Sequence, residues 1–165
     1  MSAHIVEYLR RVEIFGGLTD DDTLQLAGLC RVQKMGANQV VFHEGDDGDE
    51  LLIIMEGCVR VSLITRSVQG AMTPSTINML YGGQSFGEMV LLGGATRSAT
   101  VTCVDACVFL VIKERDFASL CDRNPRIGYR VMRNMASDLS YKLRSSNLLL
   151  RGNIRWQAGE LGRRP

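Results

Sequence analysis

Two charged side chains in the stretch Phe86–Val101 have the types and spacing to bind a phosphorylated sugar. Glu88 follows a glycine that can open a helical turn, and Arg97 lies nine residues later, beyond a second glycine break. An arginine fork pairs with two phosphate oxygens at once, and the free N–H groups at the start of a short helix also attract an anion. A carboxylate repels phosphate, so Glu88 suits a hydroxyl donor such as a ribose. The spacing therefore predicts a site that holds a phosphate and a sugar together.

The elements that must position this pair form a β-rich middle section with helices on both sides. Short runs that alternate or are wholly apolar are separated by glycine turns, a pattern typical of a barrel or jelly roll. The predicted fold is mainly β, an antiparallel jelly-roll barrel of about eight strands with flanking N-terminal helices and a long C-terminal helix. We predict strands at 31–35, 39–42, 51–55, 58–63, 76–80, 98–103 and 107–112, with a loop at 66–75.

Apolar residues at spacings of three and four predict the flanking helices. The helices cover 3–12 and 20–29 before the barrel at 31–112, and 114–148 after it. Thr19 is expected to cap the second helix, with Asp22 as the capping-box acid, and Asn124-Pro125 to start the last helix. Residues 1–150 are predicted to form one domain, and residues 151–165, which are rich in arginine and glycine, a flexible tail.

The composition argues against several classes of protein. The 165 residues carry a net charge of +1, with 45% hydrophobic and 22% charged residues, so no basic field favours nucleic acid. No apolar run approaches the ~18 residues of a membrane span, and the N-terminus lacks the apolar core of a signal peptide. The five cysteines are scattered, which favours reduced thiols in a cytoplasmic protein. The acidic residues of 44–50 lack the ligand pattern of an EF-hand loop, so no metal site is expected.

The stretch around the two charges resembles the phosphate-binding cassette of the cyclic nucleotide-binding domain family. That family includes catabolite-activator-type regulators, regulatory subunits of cyclic-nucleotide-dependent kinases and cyclic-nucleotide-gated channels. Its pattern is Phe-Gly-Glu, a short apolar turn, a small-residue break, and then Arg, a small residue, Ala and Thr. The resemblance extends over roughly residues 6–145. The matching residues are Phe86-Gly87-Glu88, Gly93-Gly94-Ala95-Thr96 and Arg97-Ser98-Ala99-Thr100, preceded by Glu44-Gly45-Asp46, Gly48-Asp49-Glu50, Gly57 and Val59-Arg60-Val61.

The resemblance implies a role for each ligand-binding residue. Arg97 would pair with the cyclic phosphate, while Glu88 and the Gly87 backbone would hold the ribose 2′-hydroxyl. The Ser98 hydroxyl could bond either a phosphate oxygen or a purine edge, so cGMP stays open, and cAMP is the default ligand. No further cofactor is implied. Backbone N–H groups of Met89, Val90 and Ser98 would complete the phosphate cradle, and Val61 and Leu80 would line the base pocket with Asn78 beside them.

The long C-terminal helix departs from the family pattern. Regulators of the catabolite-activator type present a Thr-Ser pair there to the base, where this chain has Lys142-Leu143. Asp138 stands where those proteins have an arginine. We therefore expect Leu143 or Lys142 to cover the base, or the protein to make few specific contacts with the base.

An apolar stripe on the same helix predicts a homodimer. Met132, Met135, Leu139 and Leu143 recur at helical spacing and form a stripe wider than one contact with the barrel needs. The alternative is that the stripe only closes the barrel of a monomer.

These features favour a non-catalytic sensor that closes its C-terminal helix over a cyclic nucleotide and so regulates a protein effector. No nucleophile–base pair is evident, since His4 and His43 lie in a terminal helix and a charged turn, so we expect no enzymatic activity. One alternative is a scaffold of the same fold that binds no ligand. Another is the sensor half of a truncated transcription regulator. Because no helix pair follows the long helix, we expect no nucleic acid partner, and because no apolar run is long enough to span a bilayer, we expect no membrane partner.

Overall fold

Two four-stranded antiparallel sheets form the middle of the chain, and helices precede and follow them. This computed structural model describes residues 2–66, 70–94 and 96–157. The helices are α1 (Ser2–Leu9), α2 (Asp20–Ala27), α3 (Glu114–Arg123) and α4 (Pro125–Gln157), with short 3-10 helices at Glu13–Phe15 and Glu88–Leu92. The strands are β1 (Arg31–Met35), β2 (Val40–Phe42), β3 (Glu50–Glu56), β4 (Cys58–Arg66), β5 (Met72–Tyr81), β6 (Ser85–Phe86), β7 (Thr100–Cys103) and β8 (Cys107–Lys113).

The order of the strands confirms the predicted fold class. One sheet has the order β1-β8-β3-β6 and the other the order β2-β7-β4-β5, so most neighbours in space are distant in sequence, as in a jelly roll. The two hydrogen-bonded ladders stay separate, and the roll is an open sandwich of two sheets instead of a continuous barrel. β6 is only two residues long, and it places the start of the predicted cassette beside β3.

The core has two layers, and β3 belongs to both because side chains alternate along a strand. Leu52 and Ile54 point between the sheets, whereas Leu51 and Ile53 point toward the helices. This double burial explains why the sequence of β3 is a continuous apolar run. The layer between the sheets also contains Val59, Phe86, Val101, Cys103, Cys107, Phe109 and Val111. The helical layer also contains Leu9, Leu26, Leu110, Ile112, Phe117, Leu120, Ile127, Val131 and Met135.

Polar contacts fasten the first half of α4 to the N-terminal helices. The predicted capping box is confirmed, since Thr19 Oγ1 accepts from the backbone N–H of Asp22 and the Asp22 carboxylate accepts from that of Thr19. The buried Asp22 carboxylate also accepts hydrogen bonds from Arg126 and, at 3.3 Å, from the Asn124 amide. Burial acts to raise the pKa of Asp22, but hydrogen bonds from Thr19 and Arg126 outweigh it and lower the pKa to about 2. Further along α4, Asn134 donates to two backbone carbonyls of the 3-10 turn, Ile14 O at 3.0 Å and Gly16 O at 2.9 Å.

Several predicted boundaries differ from the structure. The first helix ends at Leu9 instead of residue 12. The predicted loop at 66–75 is shorter, because β5 begins at Met72 and includes Pro74. β5 is an edge strand, and such a strand tolerates proline where the missing backbone N–H would face away from the neighbouring strand. Helix α4 continues to Gln157, so residues 151–157 are helical where a tail was predicted, and residues 158–165 lie outside the described residues. Despite the length of α4, no described helix is both long and apolar enough to span a membrane.

Candidate functional site

The cassette predicted from the sequence folds as a tight turn around a 3-10 helix. Gly87 and Gly93 flank the helix with φ values of 73° and 82°, a left-handed conformation that favours glycine. A Cβ atom at Gly87 would also lie 2.5 Å from Arg97 Nη1 and 3.1 Å from the carbonyl oxygen of Glu50. Gly87 is therefore required both by its backbone conformation and by the close approach of the arginine. The N–H of Val90, a predicted phosphate donor, makes a long hydrogen bond of 3.4 Å to Gly87 O.

Arg97 is a buried cation beside that turn. Its side chain is only 7% exposed, and its Nη1 donates to the carbonyl oxygens of Glu50 at 3.0 Å and Gly87 at 3.5 Å. The guanidinium carbon lies 4.2 Å from the centroid of the Phe42 ring, a cation–π contact. Within the described part of the chain, Arg97 forms no ion pair, and its buried Nε has no hydrogen-bond partner. A buried guanidinium held only by neutral groups retains an unmet demand for an anion.

The acidic loop before β3 holds Arg97 through the backbone. Arg97 N donates to Asp46 O at 2.8 Å, and Gly45 N donates to Arg97 O at 2.9 Å. Burial lowers the pKa of Arg97, while the negative charges of Glu50, Asp49 and Asp46 act in the opposite direction. The arginine stays charged at any ordinary pH. The acidic residues therefore support the cation at a distance and leave the guanidinium face free of a carboxylate.

Glu88 contacts helix α4 through an ion pair. Its carboxylate is 19% exposed and lies 3.5 Å from Lys142 Nζ, which in turn lies 2.7 Å from the Asp138 carboxylate. Partial burial acts to lower the pKa of Lys142, but the hydrogen bond to Asp138 and the charge of Glu88 raise it above its usual value. Lys142 therefore carries a full positive charge between two carboxylates, one on the cassette and one on its own helix.

A cavity of about 200 Å³ joins these groups. It adjoins a wider groove of about 730 Å³ between the rim of the second sheet, the N-terminal 3-10 turn and α4. Asn78, Leu80, Ser85, Glu88 and Lys142 line both spaces, so the cavity opens into the groove. The structure brings together every residue that the sequence analysis assigned to the ligand, namely Gly87, Glu88, Met89, Val90, Arg97, Ser98, Val61 and Leu80, with Asn78.

Two contributions to the site were missed or left undecided by the sequence analysis. Phe42 was missed because an aromatic residue at the end of a strand looks like any core residue, and its contact with Arg97 depends on the pairing of β2 with β7. Of the two candidates for covering the base, Lys142 lines the cavity, whereas Leu143 is 62% exposed and lines neither space.

Comparison with known proteins gives a consistent result. The family model described as cyclic nucleotide-binding domain matches residues 32–124. A cyclic nucleotide-gated potassium channel of Mesorhizobium japonicum is 30% identical over 116 residues, which are 70% of this chain and 30% of the channel. The catabolite activator protein of Thermus thermophilus superposes with a TM-score of 0.71 at 28% identity, covering 84% of this chain and 62% of that one.

A solved cyclic nucleotide-binding domain from Methylobacillus flagellatus has the same fold. Its TM-score is 0.76 at 23% identity, covering 92% of this chain and 83% of that chain. The curated relatives are longer proteins, since the chain spans between 12% and 30% of the length of those it matches. The family match covers more than half of the 165 residues and includes the whole cassette. The chain belongs to the cyclic nucleotide-binding domain family.

Proposed function

We propose that this domain binds a cyclic nucleotide, with the cyclic phosphate on Arg97 and the ribose on Glu88. The observation that carries the proposal is the buried guanidinium beside a cavity, with neutral carbonyls and an aromatic ring around it and no ion pair among the described residues. A cyclic phosphate is a compact monoanion that can supply the missing charge. The ribose then falls next to Glu88, as the resemblance to the family implies.

The two connected spaces suit the two ends of such a ligand. The cavity of about 200 Å³ holds the charged groups and is too small to enclose a whole purine nucleotide, so the base would extend into the adjoining groove. That groove is bounded on one side by Leu80 and Asn78 and on the other by Asp138 and Tyr141 of α4. The base would therefore contact α4, and closure of α4 over it is the proposed switch. We take cAMP as the default ligand, with cGMP as the competitor, since the Ser98 hydroxyl can both donate and accept.

We further propose that the domain has no catalytic role and transmits binding through the outer part of α4. The stripe predicted to form a dimer divides in the structure, because Met135 is buried in the helical core and Leu143 is exposed. Tyr141 and Leu148 are also exposed, at 72% and 66%. Leu143 lies on the opposite side of the helix from Tyr141 and Leu148, which are seven residues apart and share a face. Exposed large apolar side chains favour a protein partner, and we assign the side that bears Leu143 to a second copy of the chain, as the stripe in the sequence suggests.

Calorimetric titration with cAMP, cGMP and 5′-AMP tests the proposal. We expect saturable binding of a cyclic nucleotide, weaker binding of 5′-AMP, and loss of binding in Arg97→Ala. Arg60→Ala is the matched control, because Arg60 is an exposed arginine on β4 that does not line the cavity. Absence of saturable binding to either cyclic nucleotide would refute the proposal and leave the alternative of a scaffold that binds no ligand.

A further inference from the structure

Helix α4 contacts the charged groups of the cassette at one point. Among the described residues, the ion pair between Lys142 and Glu88 is the one charged contact that joins them. The contacts of Arg97 are different, because its side chain bonds to the carbonyls of Glu50 and Gly87 and packs on the Phe42 ring, all within the β-roll and the cassette. A phosphate on Arg97 would thus be held by groups that do not belong to α4.

The distance between Lys142 and Glu88 leaves their charges paired without a good direct hydrogen bond. Nζ lies 3.5 Å from Oε1, beyond the ~2.7–3.2 Å range of N–H···O bonds, whereas its 2.7 Å contact with Asp138 is short. An ammonium group has three donors, so Lys142 keeps others for a second acceptor when Asp138 takes one. Both Lys142 and Glu88 line the cavity, so a ligand oxygen placed there can contact both.

We propose that Lys142 and Glu88 together bind the ribose 2′-hydroxyl, an inference that rests on the proposed function. Through Lys142, helix α4 then senses the sugar of the nucleotide. A hydroxyl is the group that fits, because its oxygen accepts from Lys142 Nζ while its hydrogen is donated to a Glu88 oxygen. The hydroxyl adds a hydrogen bond to each partner of a long ion pair and so strengthens the link between α4 and the cassette. The phosphate supplies affinity through Arg97, and the 2′-hydroxyl transmits binding to α4.

Binding of cAMP and 2′-deoxy-cAMP to wild type and Lys142→Met provides the first test. The Lys142 side chain is 57% exposed, so the substitution should leave the fold intact. We expect the cAMP affinity to fall by about 3- to 10-fold, a value reduced for exposure, while the affinity for 2′-deoxy-cAMP stays the same. The preference for the ribo ligand should shrink by the same factor. Lys34→Met is the matched control, because Lys34 is exposed on β1 and lines neither space.

Hydrogen exchange provides the second test, at ligand concentrations that saturate the protein. In wild type, cAMP should protect residues 86–99 and 138–148, whereas 2′-deoxy-cAMP should protect 86–99 alone. In Lys142→Met, cAMP should give the pattern of the deoxy ligand. Lys142→Arg, which keeps the charge and the donors, should restore part of the response at 138–148.

The outcomes separate this inference from the function on which it rests. If Lys142→Met weakens both ligands equally or neither of them, or if 2′-deoxy-cAMP protects 138–148 as fully as cAMP does, the inference is wrong while Arg97-dependent binding stands. If neither ligand binds, or if Arg97→Ala binds as wild type does, the proposed function fails and this inference fails with it.

Discussion

Replacing Arg97 by methionine distinguishes the two roles that a buried arginine can have, stabilising the fold or binding an anion. The guanidinium is 7% exposed and is held by two carbonyl oxygens and one aromatic ring. Removing an unpaired cation from water costs several kcal/mol. One good hydrogen bond to Glu50 O, a long one to Gly87 O and one cation–π contact return about 2–4 kcal/mol. Because these terms nearly cancel, we expect Arg97→Met to change the unfolding free energy without nucleotide by no more than about 1 kcal/mol.

The affinity for a cyclic nucleotide should respond far more strongly. The substitution removes a charge-assisted contact to the phosphate in a sheltered cavity, which is worth about 2–5 kcal/mol. That loss corresponds to about a 30-fold to several-thousand-fold weaker affinity. A residue kept for binding thus shows a small effect on stability and a large effect on affinity.

Urea unfolding without nucleotide and calorimetric titration with cAMP measure the two quantities on the same protein samples. Arg60→Met, on the exposed face of β4, controls for the loss of one positive charge. The reasoning is refuted if Arg97→Met loses more than about 2 kcal/mol of stability and still binds as wild type does. That result would make Arg97 a structural residue, and the contacts to Glu50 O and the Phe42 ring would be the reason for its burial.

Three other predictions follow from the geometry. Gly87→Ala should unfold at lower urea concentration and bind weakly, because the new methyl group lies 2.5 Å from Arg97 Nη1 at a φ of 73°; stability and affinity equal to wild type would contradict the described turn. Asp22→Asn should lower the unfolding free energy by about 1–3 kcal/mol near neutral pH. The folded-state pKa of Asp22 is about 2, below its ordinary value of 3.8. The carboxylate therefore contributes its full stability at pH values above 3.8 and loses it as the pH falls toward 2. The difference from wild type should therefore shrink as pH falls from about 4 toward 2, and urea unfolding across that range checks it, since a constant difference would exclude the linkage. Leu143→Glu should turn a dimer into a monomer in light scattering without loss of stability, because Leu143 is 62% exposed; a wild type that is already monomeric at tens of micromolar would end the dimer proposal.

The sequence was most informative where function depends on adjacent residues. The cassette is one short stretch, so the spacing of Glu88 and Arg97 and the intervening glycines could be interpreted without knowledge of the tertiary structure. The strands β3 and β8 were also located to within one residue at each end, because a short apolar run bounded by turn residues is a local signal.

What the sequence analysis missed depends on contacts between distant segments. β6 has two residues and is a strand only because it pairs with Leu52 and Ile53 of β3. Two residues are too few to show the alternation of apolar and polar side chains that predicts a strand. The contact between Phe42 and Arg97 depends on the register between β2 and β7, and the pair of Lys142 with Glu88 depends on the path of α4 across the cassette. The end of α4 was placed too early because Ser145-Ser146-Asn147 are poor helix formers, and the helix nonetheless continues through them.

The contacts of α4 also determine which part of it a ligand can move. Up to Met135 the helix is fixed, since Ile127, Val131 and Met135 are buried in the core and Asn134 bonds to the N-terminal turn. Beyond that point, the described contact with the cassette is the ion pair of Lys142, a surface pair that contributes little stability by itself. A ligand that strengthens this one contact therefore changes the free energy of the outer half of α4 while the inner half keeps its packing. Three of the four large exposed side chains described on α4, namely Tyr141, Leu143 and Leu148, lie on that outer half, so a change in the cavity would reach the part of the helix that we propose binds a partner protein.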